Sequence, residues 1–165
     1  YTGVAGGTST ALPSGQKTAT TDQSDGLTIA KLRTAKYILD NNDVDPSLRR
    51  FLVCGPKQVQ DLLATTEVTS SDFNTVKALA SGQVDSFLGF NFIMSTRLNK
   101  DATHTTDRLC FGFTEDAIKL AIGSDVKAKI SERDDKSYAT QVYYSMALGA
   151  TRMEEEKVFQ VPCDE

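Results

Sequence analysis

The sequence of 165 residues predicts an α+β fold, in which a sheet flanked by helices is followed by antiparallel strands near the C-terminus. Three observations predict this fold. Apolar residues recur at helical spacing in 27–41. The run 51–54 is apolar at every position, as in a strand buried on both faces. In 138–151 two sets of side chains alternate, which is typical of an antiparallel strand.

The N-terminal segment, 1–26, is rich in Gly, Thr and Ser and holds few large apolar residues, so an extended arm or linker is expected. The first helix follows at 27–41, with Thr28, or Ser24 with Asp25, as its N-terminal cap. Lys31 falls on the apolar arc of this helix, and we expect its stem to carry the charge out to solvent.

Helices and strands then alternate along the chain. The apolar strand ends at Gly55-Pro56, and proline suits the first turn of the helix predicted for 57–64. A third helix is predicted for 72–80. A single strand is predicted for 87–95, in which Gly89 permits a bulge or a close backbone approach.

The C-terminal half is predicted to consist mostly of strands. The run 108–113 predicts a strand, whereas 114–122 fits both a helix and a strand, and the strand is favoured. Further strand-like segments are 126–132, 138–151 and 158–161.

Composition and cysteine usage exclude several classes of protein. The net charge is −4, with 18 Lys and Arg against 22 Asp and Glu, which argues against a dedicated nucleic-acid binder. No apolar run approaches the length of a membrane span. The spacing of Cys54, Cys110 and Cys163 fits no zinc site. Cys54 and Cys110 lie in apolar strand-like runs, so buried free thiols are expected there, and with them a reducing compartment.

Signals for catalysis are weak throughout the sequence. The only histidine, His104, lies in a polar loop without a nucleophile motif, and an exposed residue is the favoured interpretation. The phosphate-binding motifs G-x-x-x-x-G-K-[ST] and G-x-G-x-x-G do not occur, and the hydrolase motif G-x-S-x-G is also absent. We therefore predict no catalytic, cofactor-binding or metal-binding residue.

The order of the central segments carries a family resemblance. A helix ends in a D-x-D-P turn, the strand R-R-F-L-V-C-G-P leads into the helix Q-x-x-D-L-L, and the block closes with L-A-S-G-Q-V-D-S-F-L-G-F-N-F-I-M-S-T-R-L. This order resembles the major capsid proteins of tailed bacteriophages, which have the Hong Kong 97-like fold. In that family similar segments build the axial domain around the capsomer centre. The ending Y-Y-S-M-A-L-G-A-T-R-M is similar to the family's last strands.

The resemblance implies a domain organisation for the chain. Residues 1–26 are expected to form an arm or linker, 27–125 an axial-type α+β domain, and 126–165 C-terminal antiparallel strands connected with a peripheral domain. The long spine helix and extended loop that precede this region in the family are not evident in 1–26, so a C-terminal fragment is expected.

The resemblance also implies a function. It implies a structural protein that self-assembles into an icosahedral shell enclosing the genome, in the virion and, during assembly, in the host cytoplasm. Its expected partners are other copies of itself in capsomers. Participation of a scaffolding protein stays open, contact with packaged DNA is expected to be weak at most, and no membrane partner, cofactor or enzymatic activity is expected. The expected inter-subunit contacts are exposed charged loop residues, namely Asp43, Asp45, Arg49, Arg97, Arg133, Asp134, Asp135 and Lys136.

Two other functions compete with the shell protein. One is a small α/β ligand-binding domain or enzyme, with a pocket lined by Phe90, Phe92 and Phe111. The other is a monomeric head-decoration or adhesion protein. Titratable groups with shifted pKa values around such a pocket would favour the first, and association only beside a preformed shell would favour the second.

Overall fold

The computed structural model describes residues 11–18, 25–64, 86–102 and 104–165. It confirms the α+β class, and the predicted third helix at 72–80 lies outside the described residues. Short 3-10 turns lie at Ser14–Gln16 and Asp134–Lys136. The helices are α1 (Ile29–Asn41) and α2 (Pro56–Ala64), and the strands are β1 (Arg50–Cys54), β2 (Ser86–Phe87), β3 (Phe90–Met94), β4 (Asp107–Thr114), β5 (Ile118–Arg133), β6 (Ala139–Arg152) and β7 (Val158–Asp164).

The chain divides into two compact units. The first, here called the sheet unit, contains the described residues up to Ala117 together with Glu154–Glu165. The second, here called the ribbon, is Ile118–Met153. The expected domain boundary at 125/126 differs from these boundaries because β7 pairs antiparallel with β4 over its whole length and so belongs to the sheet unit.

The sheet unit contains a five-stranded sheet in the order β2-β3-β1-β4-β7. β1 runs parallel to β3 and antiparallel to β4. Both helices bury their apolar side chains in the core of this unit, where they meet one face of the sheet. The largest members of the core are Leu27, Leu32, Leu39, Leu52, Leu62, Phe90, Phe159 and Val161.

Part of the expected N-terminal arm is attached to the sheet. Lys17 forms an isolated parallel bridge with Gln160 of β7, and the Thr18 amide donates a hydrogen bond to the Gln160 carbonyl at 2.9 Å. Gln16 and Thr18 are buried. Residues 11–18 therefore differ from a free linker, because the edge strand β7 offers them unpaired backbone groups.

Helix α1 begins after Thr28, whose hydroxyl accepts a hydrogen bond from the Lys31 amide at 3.4 Å. The expectation that Lys31 reaches solvent is wrong, since the side chain is only 3% exposed. Its ammonium donates to the carbonyl oxygens of Pro162, at 3.1 Å, and of Asp25. These two acceptors replace the water that a buried charge would otherwise lose.

The segment predicted as one strand at 87–95 is a hairpin. β2 and β3 pair antiparallel and are joined by Leu88 and Gly89, whose φ angles are 51° and 84°. Positive φ at both central residues is the geometry of the two-residue turn that matches the twist of paired strands. Gly89 therefore reverses the chain rather than forming a bulge within a strand.

The ribbon is a long two-stranded antiparallel hairpin formed by β5, of 16 residues, and β6, of 14 residues. The strand favoured for 114–122 is found at 118–122, whereas 115–117 form the turn between β4 and β5. At the tip, the 3-10 turn is followed by Ser137 and Tyr138, both with positive φ. Two register shifts lie between Ile122 and Lys127, and the pairing is regular on both sides of them.

Candidate interaction surfaces

The described residues show no arrangement typical of a metal site. Among them, no group of three or more His, Cys, Asp or Glu side chains is placed to hold a metal ion. His104 is exposed, and its backbone amide donates to Asp101 Oδ1 at 3.2 Å. None of the helices in the described part of the chain is long and apolar enough to cross a membrane.

All three cysteines are buried free thiols in the sheet unit, as predicted for Cys54 and Cys110. Burial raises the pKa of the Cys54 thiol to about 12. A thiol with such a pKa stays protonated at neutral pH, and the protonated form is a poor nucleophile. Cys54 therefore behaves as a small core residue.

The phenylalanines of the alternative function do not line one pocket. In the sheet, Phe92 pairs with Leu52, whereas Phe111 pairs with the next residue of β1, Val53. Because side chains alternate along a strand, Phe90 and Phe92 lie on one face and Phe111 on the other. Phe90 is fully buried, and its ring meets that of Phe159 at 5.5 Å between centroids.

An open cleft of about 490 Å³ lies beside the turn that joins β2 and β3. Its charged lining residues are two cations, Lys36 and Arg50, and two carboxylates, Asp40 and Asp43. Asp40 Oδ1 lies 2.8 Å from Arg50 Nη2. Since the charges of the lining balance, the cleft shows no preference for an ionic ligand.

The eight predicted contact residues are all exposed, and they fall into two groups. In the sheet unit, Asp43, Asp45 and Arg49 lie between α1 and β1, and Arg97 follows β3. Arg49 Nε lies 3.5 Å from Glu115 Oε2.

The other group lies at the tip of the ribbon. There Arg133 forms two hydrogen bonds to Asp135 and is followed by Asp134 and Lys136. Whether either group contacts a neighbouring subunit stays a prediction.

Two loops of the sheet unit form an acidic surface, here called the acidic edge (Asp43, Asp45, Glu154 and Glu156). The loops are held together where Asn42 Nδ2 donates to the Glu156 carbonyl at 3.3 Å. Asp45 Oδ1 accepts a hydrogen bond from the Ser47 amide at 2.8 Å, and this bond lowers the pKa of Asp45. The Asp45 carboxylate is therefore held in position by this hydrogen bond.

A single lysine neutralises part of this surface. Lys157 Nζ lies 2.5 Å from Asp116 Oδ2 and 2.9 Å from Glu154 Oε2. Asp43, Asp45 and Glu156 form no ion pair with any residue in the described ranges. The acidic edge thus keeps an excess of negative charge.

Replacing Asp116 by asparagine should reduce the loss of stability of the sheet unit in acid. Hydrogen bonds from Lys157 and then Thr114 lower the pKa of Asp116 below its ordinary value of 3.8. A lowered pKa contributes stability that is present above the ordinary carboxyl range and is lost as pH falls through the pKa of the folded state. Urea unfolding at pH 7 and pH 3 measures this, with Glu115→Gln as the control. An equal acid loss in Asp116→Asn and wild type would contradict it.

The register of the ribbon separates its side chains into two faces. On both sides of the register shifts, even-numbered residues of β5 pair with even-numbered residues of β6, for example Leu120 with Ala150 and Ile130 with Val142, whereas Ser124 between the shifts pairs with Ala147. Directly paired side chains lie on the same face of a ladder. The even-numbered face, here called the apolar face, has seven large apolar residues that are 44–71% exposed: Leu120, Ile122, Ile130, Val142, Tyr144, Met146 and Leu148.

The odd-numbered face carries positive charge. This surface, here called the basic face, contains Lys119, Lys127, Lys129 and Arg133, and no paired residue on it is acidic. All four cations are exposed. Within the described residues, Arg133 pairs with Asp135 at the tip, and the three lysines form no ion pair.

Sequence reasoning did not assign either ribbon face as a contact surface. The alternation in 138–151 was a correct signal for one strand. Its meaning depended on the partner, because only the pairing of β6 with β5 places the apolar residues of both strands on one side. Because 114–122 fits both a helix and a strand, the sequence alone did not identify β5 as the partner of β6.

Comparison with known proteins identifies the family of the chain. Residues 1–165 match the model of a family described as phage capsid protein. No curated protein sequence gives a significant match.

Solved phage structures share the fold. The chain is similar to a structure of Mycobacterium phage Che8, with a TM-score of 0.72 and 16% identity over 88% of this chain and 52% of that one. The capsid of cyanophage P-SCSP1u gives a TM-score of 0.67 and 21% identity over 80% of this chain and 44% of that one. The mature capsid of bacteriophage PhiM1 gives a TM-score of 0.62 and 14% identity over 79% of this chain and 44% of that one.

The chain therefore spans about half the length of the solved proteins it matches. The resemblance found in the sequence is confirmed at the level of the family and the fold. Because the family model covers every residue, the chain belongs to the phage capsid protein family, and its role is structural.

Proposed function

We propose that the chain is a shell-forming part of a major capsid protein, which assembles with other copies into an icosahedral shell around the genome. The observation that carries this proposal is the apolar face of the ribbon. An isolated two-stranded hairpin is at best marginally stable in water. A contiguous exposed apolar patch on such an element is typical of a surface that becomes buried in an assembly.

The size of the apolar face supports a stable contact. Full burial of one large apolar side chain is favourable by about 1.5–3 kcal/mol. The seven side chains of this face are half or more exposed in most cases, so much of that free energy is still to be gained. The gain is available only when another surface covers the ribbon.

We assign the two units to the two domains of the expected organisation. The sheet unit is the axial-type domain, and the ribbon belongs to a peripheral domain. In support, the sheet unit has its own buried core, whereas the ribbon has its large apolar residues on the surface.

The proposed partners follow from the charges as well as from the apolar face. Other copies of the chain are the main partners, with the eight exposed charged residues at the rims of the contacts. Rim charges contribute more to orientation and association rate than to affinity. Contact with packaged DNA is weak, a scaffolding protein is a further candidate partner, and assembly takes place in the host cytoplasm before the protein resides in the virion.

Polar substitutions on the apolar face should abolish assembly. Ile130→Gln with Val142→Gln replaces one cross-strand pair on this face. The control is Tyr37→Gln with Met94→Gln, which removes two apolar side chains of the sheet unit that are 66% and 57% exposed and leaves both faces of the ribbon unchanged. Light scattering and negative-stain microscopy should show shells, sheets or rings for wild type and control. The variant Ile130→Gln with Val142→Gln should lose at least about 90% of the assembled material. The reason is that burial of two large apolar side chains is worth several kcal/mol.

The same measurements can contradict the proposal. The chain should be studied alone and within the complete open reading frame that contains it. A monodisperse monomer under every condition would argue against a shell protein. Equal assembly of the two double variants would show that the apolar face is not a contact surface.

A further inference from the structure

We propose that the basic face of the ribbon docks on the acidic edge of a second copy of this chain. This inference rests on the proposed function, because it names the surfaces that meet when copies assemble. The contact of the basic face is electrostatic, whereas that of the apolar face is hydrophobic. The two contacts also differ in location, since the basic and apolar faces lie on opposite sides of the ribbon.

The lysines of the basic face have no counter-charges among the described residues. Lys127 and Lys129 are exposed neighbours on one side of β5, opposite Ser145 and Tyr143. Neither lysine forms an ion pair within the described ranges. Strand geometry separates such i, i+2 positions by about 7 Å, so the two ammonium groups form a short row of positive charge.

These lysines lie far along the ribbon from its first residue. Lys127 and Lys129 follow Ile118, the first residue of β5, by nine and eleven residues. At about 3.3 Å per residue, the strand carries them roughly 30 Å from its start. This length is comparable to the diameter of a small domain. Lys127 and Lys129 therefore lie nearer to the tip of the ribbon than to its base.

The acidic edge of the sheet unit has the charge opposite to that of the basic face. Asp43 and Asp45 are also exposed i, i+2 residues without ion pairs among the described residues, and Glu156 lies on the adjoining loop. The hydrogen bond to the Ser47 amide keeps Asp45 oriented and ionised. The two exposed lysines of β5 thus have exposed carboxylates on the loop after α1, and on the loop joined to it, as surfaces of opposite charge.

A second copy suits the basic face better than duplex DNA does. The whole chain carries a net charge of −4, which opposes approach to a polyanion. Contact between two different surfaces of identical molecules is heterologous, and it generates rings when the rotation closes. Such a contact is what repeated subunits around a capsomer require.

A charge-swap experiment tests the inference on the complete chain. Variant A is Lys127→Glu with Lys129→Glu, and variant B is Asp43→Lys with Asp45→Lys. In each variant alone, the substituted pair of residues has the same sign of charge as the pair that it is proposed to meet, so the association constant at low salt should fall by at least about tenfold. In a mixture, the reversed ribbon of A meets the reversed edge of B. Association measured by sedimentation velocity should then return to near the wild-type level.

A matched control separates this effect from net charge. Arg33→Glu with Lys17→Glu makes the same change in net charge as variant A, at exposed positions of the sheet unit that form no ion pair within the described residues. It should associate like wild type, and the wild-type association should weaken as NaCl is raised. Circular dichroism of each variant establishes that it is folded.

Several outcomes would overturn the inference. Assembly of wild type with no effect of A or B would contradict the proposed contact while leaving the shell function intact. Failure of the A and B mixture to associate would also contradict it. Binding of wild type to duplex DNA that variant A loses, with self-association unchanged, would assign the basic face to nucleic acid. Absence of wild-type association at every concentration would contradict the proposed function itself.

Discussion

An alanine in place of Gly112 should lower the free energy of unfolding of the sheet unit by about 2–3 kcal/mol, the usual range for overpacking a core. A Cβ atom at this position would lie 2.1 Å from Cζ of Phe159 and within 2.8 Å of two further ring atoms. Gly112 pairs directly with Phe159 across β4 and β7, and the ring lies over the glycine. Because Phe159 is fully buried, it has no free space into which it can move.

Urea unfolding followed by circular dichroism measures this change. The control is Gly15→Ala, since a Cβ atom there would meet nothing within 4 Å. The second substitution Phe159→Leu should recover part of the loss in Gly112→Ala, because it removes the ring atoms that clash. A Gly112→Ala protein as stable as the control would contradict the packing described.

The second large effect is expected at Phe90. Phe90→Ala should destabilise the sheet unit by about 3–5 kcal/mol, which is the range for truncating a buried phenylalanine. The ring is fully buried and meets Phe159 at 63° in an edge-to-face contact. Its loss leaves a cavity between the two helices and the sheet, and it removes the ring pair, which is worth about 0.5–1.5 kcal/mol.

The matched control for Phe90 lies on the same strand. Ile93 faces the opposite side of β3 and is 42% exposed, so Ile93→Ala should cost about 1 kcal/mol or less. The two variants are compared by their midpoints in guanidinium chloride. Equal shifts for both would show that the face of the sheet packed against the helices does not hold the core.

Elements with strong local signals were predicted well from the sequence. The structure places α1 at Ile29–Asn41, β1 at Arg50–Cys54 and α2 at Pro56–Ala64, each within two residues of its prediction. Their signals are helical periodicity, an apolar run and a proline in the first turn, and all of these act over a few residues. Local chemistry was sufficient for these three elements.

Features that depend on distant residues were not predicted. Lys31 is buried because carbonyl groups from Asp25 and Pro162 meet its ammonium, and Pro162 is 131 residues away in sequence. The turn at Leu88 requires positive φ in a leucine, which seldom adopts it. β7 was predicted as a strand, but its partner β4 is separated from it by the whole ribbon.

For the contact surfaces too, local sequence predicted exposure, whereas the two faces of the ribbon depend on pairing between separate strands. The eight predicted contact residues are exposed, which composition and loop signals can predict, and their contacts in the assembly stay a prediction. The apolar and basic faces became visible only with the register of β5 against β6. A shift of one residue in that register would mix the two faces.

The pairing of β4 with β7 makes the ribbon an insertion into a hairpin. Phe113 pairs with Val158, and the Thr114 amide donates to the Lys157 carbonyl at 3.2 Å, so the chain leaves and re-enters the sheet between adjacent strands. Genetic changes in ribbon length therefore leave the ends of the two strands where they are. Lengthening a loop costs little, about 0.6 kcal/mol for each doubling. Evolution can vary the reach of the ribbon, and an engineer can graft a different segment at 118–153, without redesigning the sheet.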